Sequence, residues 1–511
     1  MCGPSPSATE LRHVADPSAY AVRKVRSRRW FSMLLGVLAV ACVLAACGSS
    51  SGSGSNNDPL AAALSYIPPG SPVSATIVTD PNSAPVKDLS ALLKKFQLAS
   101  LLTSALNQQL QKQGLSYNAD IKPLLGNPVV VGTIETAGAG SKLKGVGVWV
   151  TKDASKLNAL VSSNGSKKVG SHDGATLYRS RDGQSVLAVD GATLVAADTQ
   201  TLVNAALDRH ANNNGMTVSQ YNQQVSGLPS HALVQVFGNV APLLATPQTA
   251  TARRIPWVAA IKGYGVSINT TSNGISLDWK IDTTGRQLTA AQLPLAAGSA
   301  APALASGEPG SFGIRDPAQI AAFAESAVQA ADPNAYAQFQ AALGALRNGF
   351  GIDVTGALGQ LTGDLITAGQ GQVSLIRAGV GNPAVVSRTL ANLAKHIGSL
   401  AAGTSMKPLG GGFYLVSRQS LTFAVGLVGN QLVAGNASVS KLRAFATQPT
   451  TPSGGHGAIA FSESLPQVLN LTGGLVRSTQ AQLILGQLKS FSGWIANTPS
   501  ALTGNALVTI K

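Results

Sequence analysis

Cysteine is nearly missing from this chain: Cys2, Cys42 and Cys47 are its only three, all within the first 47 of 511 positions. That excludes a disulfide-stapled fold and a Cys-rich zinc site. Charge is scarce too, at 12% of residues against about 25% in ordinary globular domains. Acidic residues are the scarcest, with 22 Asp and Glu facing 37 Lys and Arg for a formal charge of +15. Aromatic residues make up 5%, and beyond residue 46 the only adjacent basic pairs are Lys94-Lys95, Lys167-Lys168 and Arg253-Arg254. Nucleic-acid recognition needs a basic stripe or interleaved stacking rings, so that partner class is excluded. What the chain does have is apolar bulk, 44% hydrophobic residues at a mean hydropathy of +0.18. Global disorder is excluded, and a prior of about 150 residues per domain allows two to four domains.

Residues 33–46, MLLGVLAVACVLAA, form an apolar run preceded by Arg23, Lys24, Arg26, Arg28 and Arg29. The run is shorter than the roughly 20 residues of a transmembrane helix and has the layout of a signal peptide. It ends in Leu44-Ala45-Ala46-Cys47, which resembles a bacterial lipobox: small residues fit the signal peptidase, and the Cys47 thiol is the nucleophile that takes diacylglycerol. Arg28 and Arg29, followed by Trp30 and Phe31, resemble a twin-arginine export signal, and both that route and general secretion stay open. The expectation is a protein on the outer face of the cell membrane, its partner the membrane itself through a diacylglyceryl anchor. Without residues 1–46 the chain keeps 31 basic and 20 acidic residues, a surplus suited to anionic headgroups or envelope polymers.

Residues 47–58, rich in Ser and Gly, read as a flexible tether with a root-mean-square reach of about 18 Å. The remainder reads as a tandem duplication, residues 59–284 and 304–511, joined by an Ala-rich linker at 285–303. Both copies open with a strand running into Asp-Pro, at Asp80-Pro81 and Asp316-Pro317, then a helix; Asp at the N-cap and Pro at the first turn suit a helix start. The first helix of each copy is expected to stop at Gly114 and Gly349. Next come a strand at 145–151 with a helix from Asp153, matched by 373–380 with a helix from Asn382-Pro383. A meander follows, 175–180, 185–189 and 192–197, matched by 412–417, 421–425 and 431–434, with Asp182-Gly183, Asp190-Gly191 and Gly429-Asn430 as turns. Strands from His231 and His456 and a closing pair end each copy. The fold class is therefore α+β, an antiparallel sheet with helices expected on one face, built twice.

Pro68-Pro69-Gly70 before the strand ending Asp80-Pro81, the long helix, and Gly351-Ile352-Asp353 before Leu361-Thr362-Gly363 and its strand resemble a family of bacterial, chiefly actinobacterial, secreted and lipid-anchored proteins, the domain of unknown function numbered 3352. The resemblance extends over most of residues 60–511. It implies an envelope protein without an assigned activity, and it carries over no catalytic residue.

The chemistry-bearing motifs are missing. There is no His-Glu-x-x-His, Gly-x-Ser-x-Gly or phosphate-loop spacing. Ser438-Val439-Ser440-Lys441 fits Ser-x-x-Lys, but at a helix start it reads as a cap. His172-Asp173 before Gly174 reads as a turn, and no ligand spacing turns it into a metal site. His231 and His456 hold equivalent positions at strand starts, as edge residues rather than ligands. Trp149, Trp257, Trp279 and Trp494 read as core fillers. No catalytic, metal or cofactor residue is therefore expected, and the chain reads as a binding or interaction module for a protein partner or an envelope component. The alternative is a carrier enclosing a lipid or other apolar ligand, with an unrecognised enzyme the remaining reading. An apolar cavity of a few hundred Å³ favours the carrier, and an exposed apolar patch favours the interface.

Overall fold

The computed structural model describes residues 58–95, 98–111, 114–135, 144–283, 288–298, 300–370, 373–453, 455–464 and 486–511. The signal segment, Leu44, Ala45, Ala46 and Cys47, the pair Arg28 and Arg29, and the tether up to residue 57 lie outside the described residues.

The architecture is mixed α+β around a large antiparallel sheet. In the first half the strands are β1 (Ser74–Ile77), β2 (Val129–Glu135), β3 (Lys144–Val150), β4 (Lys167–His172), β5 (Ala175–Arg179), β6 (Val186–Asp190), β7 (Thr193–Ala197), β8 (Val234–Asn239), β9 (Ile261–Thr271) and β10 (Gly274–Thr283). The second half holds β11 (Ala303–Ala305), β12 (Gly310–Arg315), β13 (Leu361–Gln370), β14 (Val373–Val380), β15 (Thr404–Gly410), β16 (Phe413–Arg418), β17 (Leu421–Val428), β18 (Gln431–Gly435), β19 (Thr450–Pro452), β20 (Ile459–Ser464), β21 (Leu488–Asn497) and β22 (Ala501–Ile510). Pairing runs β4-β5-β6-β7-β3-β2-β1-β8-β9-β10 in the first half. In the second it runs β15-β16-β17-β18-β14-β13-β12-β20-β21-β22. Both are antiparallel at every step, and β11 pairs β19 in a separate ladder.

The halves meet edge to edge. Strand β10 pairs antiparallel with β22 from Gly274↔Thr509 to Asp282↔Ala501, and the central pair is Asp278↔Asn505. There Asn505 Nδ2 donates to Asp278 Oδ1 at 2.7 Å, while Asn269 Nδ2 donates to Asp278 Oδ2 at 2.7 Å. Buried Lys280 pairs with Asp282 at 2.9 Å in the same strand.

Sequence patterning explains most elements. Asp153 caps the helix Ala154–Ser163 by accepting from Lys156 N at 2.9 Å, and Asn382 caps Pro383–Leu400 by accepting from Ala384 N at 3.1 Å. Several expectations need correction: Asp80 serves a turn and its helix starts only at Ala84, and the one long helix expected after Asp316-Pro317 is broken at Asp332-Pro333. Asp316 does not cap the helix after it: its backbone is left-handed (φ 47°), and its side chain makes no capping bond. The second-half helix runs past Gly349 to Gly351, whose φ of 64° is the left-handed stop that glycine adopts without a Cβ clash. Helices also do not keep to one face of the first half. One core joins Val130, Val146, Val148, Val186 and Val195 to Leu202 and Leu207. A second, on alternate strand residues, joins Val129, Trp149, Leu187, Val189 and Leu194 to Val86, Leu106 and Leu157. The physical reason lies in the strands: Val186-Leu187-Ala188-Val189 is apolar at every position, the pattern of a strand covered on both faces.

The second half has the counterpart of the first core, in which Ile366, Leu375, Phe413, Ala424 and Val433 pack on Leu442 and Phe445. Its opposite face is looser. Aligning the β6/β7 register on β17/β18 places Val425, Leu427, Leu432 and Ala434 where the first half has Leu187, Val189, Leu194 and Ala196. The first-half residues are buried, and the second-half ones are only partly so.

Candidate functional site

The helices on that looser face form an apolar groove. Helix α1 (Pro317–Ala331) and helix α2 (Pro333–Phe350) make a hairpin, followed by α3 (Val354–Leu358) and, after β14, α4 (Pro383–Leu400). Asp332-Pro333 breaks the hairpin at its tip: Asp332 caps α2 by accepting from Ala335 N at 3.0 Å, and Pro333 takes the first turn, where a missing N–H costs nothing. Asp353 starts α3 by accepting from Gly356 N at 2.9 Å, and Asn392 Nδ2 on α4 donates to Gly351 O at 2.7 Å.

Helix α1 is held on its other side. Gln319 Nε2 donates to Leu293 O at 2.7 Å, Arg254 Nη1 donates to Ala331 O at 3.3 Å, and Phe323 meets Trp257 edge-on at 6.5 Å. Of the hairpin residues only Pro317 is buried, whereas the corresponding first-half helix Ala84–Lys95 buries Pro85, Val86, Ser90 and Leu92. The space between α1, α2 and α3 is a groove of about 620 Å³. Small residues, Ala318, Ala321 and Ala322, line it beside Leu343 and Val354. At its rim Phe339 is 52% exposed, Leu358 44% and Val328 43%.

One ionisable carboxylate lies in it. Glu325 Oε1 accepts from Tyr336 Oη at 2.8 Å and from Gln340 Nε2 at 2.7 Å. The carboxylate hydrogen bond raises the Tyr336 phenol above its ordinary range. The lining has one carboxylate and no histidine or cysteine, so it offers no set of metal ligands. The groove is suited to hold an apolar chain.

The residues singled out from the sequence fall elsewhere. Ser438 Oγ accepts from Lys441 N at 3.3 Å, the capping role, with Lys441 exposed. His231 and His456 are exposed three residues ahead of β8 and β20, and His456 lies edge-on to Trp494 at 5.9 Å. Trp149 is buried, while Trp257, Trp279 and Trp494 are half-buried. His172 gains a neighbour that spacing did not supply: Nε2 lies 2.5 Å from Asp208 Oδ1 and 3.6 Å from Asp173 Oδ2. The three are half-exposed to exposed, on a hairpin turn and a helix.

Two features were not foreseen. Glu325, Tyr336 and Phe339 carry no local motif, and their only signal is the charge poverty of 316–350, where Asp316, Glu325, Asp332 and Arg347 are the sole charged residues. Arg377, 6% exposed, stands in β14 at the register position of Val148. Its Nη1 donates to Phe445 O at 2.7 Å and Gln448 O at 2.8 Å, its guanidinium covers the Phe445 ring at 5.2 Å, and burial lowers its pKa.

A family model described as a protein of unknown function (DUF3352) matches residues 31–362. The match ends inside β13, short of the span to 511 that the sequence resemblance led us to expect. None of the curated proteins matches this chain. Among solved structures, crystal form III of TP0453 is similar at a TM-score of 0.27 and 11% identity, covering 46% of this chain and 84% of that one. Crystal form I of TP0453 gives 0.26 and 12%, with 46% and 82% covered. Likeness at this level transfers neither fold nor function.

Proposed function

The chain belongs to the family of proteins of unknown function DUF3352, and on that premise we propose that it is an exported envelope lipoprotein, anchored through Cys47, that binds a chain-bearing apolar ligand in the groove of α1, α2 and α3. The observation that carries this reading is the groove itself: about 620 Å³, apolar apart from the Glu325 group, and open where the first half is packed shut. A volume of that size lies within the range of small-ligand sites, and each buried methylene contributes about 0.8 kcal/mol. The reading is of a binder rather than an enzyme.

The same reading treats residues 59–284 and 304–511 as two tandem copies of one domain joined by 285–303. The matched pairing order of ten strands in each half supports it, as does the central Asp278↔Asn505 pair at the seam. The first copy then serves as the closed, structural one, and the second as the ligand-bearing one. A docking surface for an envelope protein is the second reading, favoured by the exposure of Phe339, Leu358 and Val328 at the rim.

Two experiments test the proposal. Ala322→Trp places an indole in the groove lining; it is expected to abolish binding of an apolar fluorophore such as N-phenylnaphthylamine while moving the thermal midpoint by no more than about 2 °C. Undiminished fluorophore binding contradicts the groove assignment. Cys47→Ala is expected to move the protein from the detergent phase to the aqueous phase on phase partitioning, and an unchanged detergent fraction contradicts the anchor.

A further inference from the structure

An apolar groove has no need of a carboxylate, yet Glu325 lies in its lining. Both of its hydrogen bonds, from Tyr336 Oη and Gln340 Nε2, fall on Oε1, which leaves Oε2 without a partner among the described residues. Among the described residues no Lys, Arg or His forms an ion pair with Glu325. Glu325 is half-buried beside Ala318, Ala321 and Ala322, so a cation delivered with the ligand finds an acceptor at Oε2 next to an apolar wall. A structural link between α1 and α2 explains Oε1. It does not explain a charged group where a neutral Gln would make the same two bonds.

Resting on the groove assigned above, we infer that its ligand is an amphiphile with one aliphatic chain against the alanines and a protonated primary amine that donates to Glu325 Oε2. Carboxylate-headed chains are repelled at the same point, so the groove discriminates by head-group charge. The shared chemistry is an ammonium on an apolar chain, whether it comes from an amine-bearing membrane lipid or from a free long-chain amine.

The test is isothermal titration of the full mature chain carrying Cys47→Ser, so that no anchor lipid or detergent competes, at neutral pH with dodecylammonium, dodecanol and dodecanoate below their micellar concentrations. The expected result is that dodecylammonium binds about tenfold more tightly than dodecanol and that dodecanoate binds most weakly. Glu325→Gln is expected to bring the three within about threefold, and the wild-type ranking stands as a measurement independent of that variant's folding. Equal binding of the three probes, or tightest binding of dodecanoate, overturns the head-group inference and leaves the groove standing. Binding of none overturns the groove reading and this inference with it. If the ranking holds, titration into vesicles with and without phosphatidylethanolamine separates the sources: saturable uptake confined to the ethanolamine vesicles assigns a membrane lipid, and no uptake from either assigns a free amine.

Discussion

Single residues depart from the expected pattern where the chain carries a charge into a packed place. Glu463 lies in β20 opposite Gly310 of β12, where a Cβ on the glycine would collide with its carboxylate. Burial raises the pKa of that carboxyl above its ordinary value. An acid whose folded-state pKa is raised contributes stability that is full below the unfolded pKa and is lost as pH rises through the folded one. Glu463→Gln is therefore expected to raise the thermal midpoint at neutral pH, with the gain vanishing below the ordinary carboxylate range. Thermal scans from acid to neutral pH check this, and a gain independent of pH contradicts it. The two Asp-Pro sequences teach a related lesson. Asp80 accepts from Asn82 N at 3.0 Å in a turn, and Asp316 sits left-handed without capping anything. Residue type announced a helix start nearby but not which backbone group the carboxylate would satisfy, because turn and cap use the same short-range bond.

At the scale of elements, the strands and most helix starts were legible because each is fixed by local chemistry: Asp153 and Asn382 as caps, Gly183 and Gly191 at positive φ in the turns. Strands β2, β11 and β19 were missed, and so were β4 and β15. The exposed, polar residues of β4 and β15, Lys167-Lys168 and Lys407-Pro408, show little alternation, since each strand lies at an outer edge of the sheet and needs protection against further pairing more than burial. Both carry a bulge, at Lys168/Gly170 and Pro408/Gly410, which turns an edge away from a partner. The groove was illegible for a different reason. Helices Ala84–Lys95 and α1 follow corresponding strands in the chain, yet the first packs against β9 and α1 against β13, so tertiary packing decides that one is closed against its sheet and the other is not. Arg377 also acts on an element: its hydrogen bonds satisfy carbonyls at the C-terminal end of the helix Val439–Thr447, where the helix dipole is negative. Arg377→Val restores the residue type of the first half yet strips those carbonyls of their donor. It is expected to destabilise the protein by about 1–3 kcal/mol in urea unfolding, and an unchanged midpoint contradicts the capping role.

Across the whole molecule, the sheet is continuous because two inner edges, β10 and β22, pair with one another, while the outer edges carry lysine, proline and bulges. The arrangement leaves two unequal halves on one scaffold. Among the described residues the first has apolar cores on both faces, and the second has one core and an open helical groove. Ordered landmarks in the sequence carry no sign of the inequality, which resides in partly exposed residues such as Val425, Leu427 and Leu432. The signal and anchor reading belongs to residues 1–47 and is decided by chemistry on Cys47. Binding in the groove is the central claim, and the most direct measurement is mass spectrometry of small molecules released from the protein purified from its native envelope, with intact and denatured aliquots compared. The account predicts a stoichiometric chain-bearing amphiphile released only on denaturation and lost in Ala322→Trp. A protein that releases nothing, or the same molecule from wild type and variant alike, would contradict it.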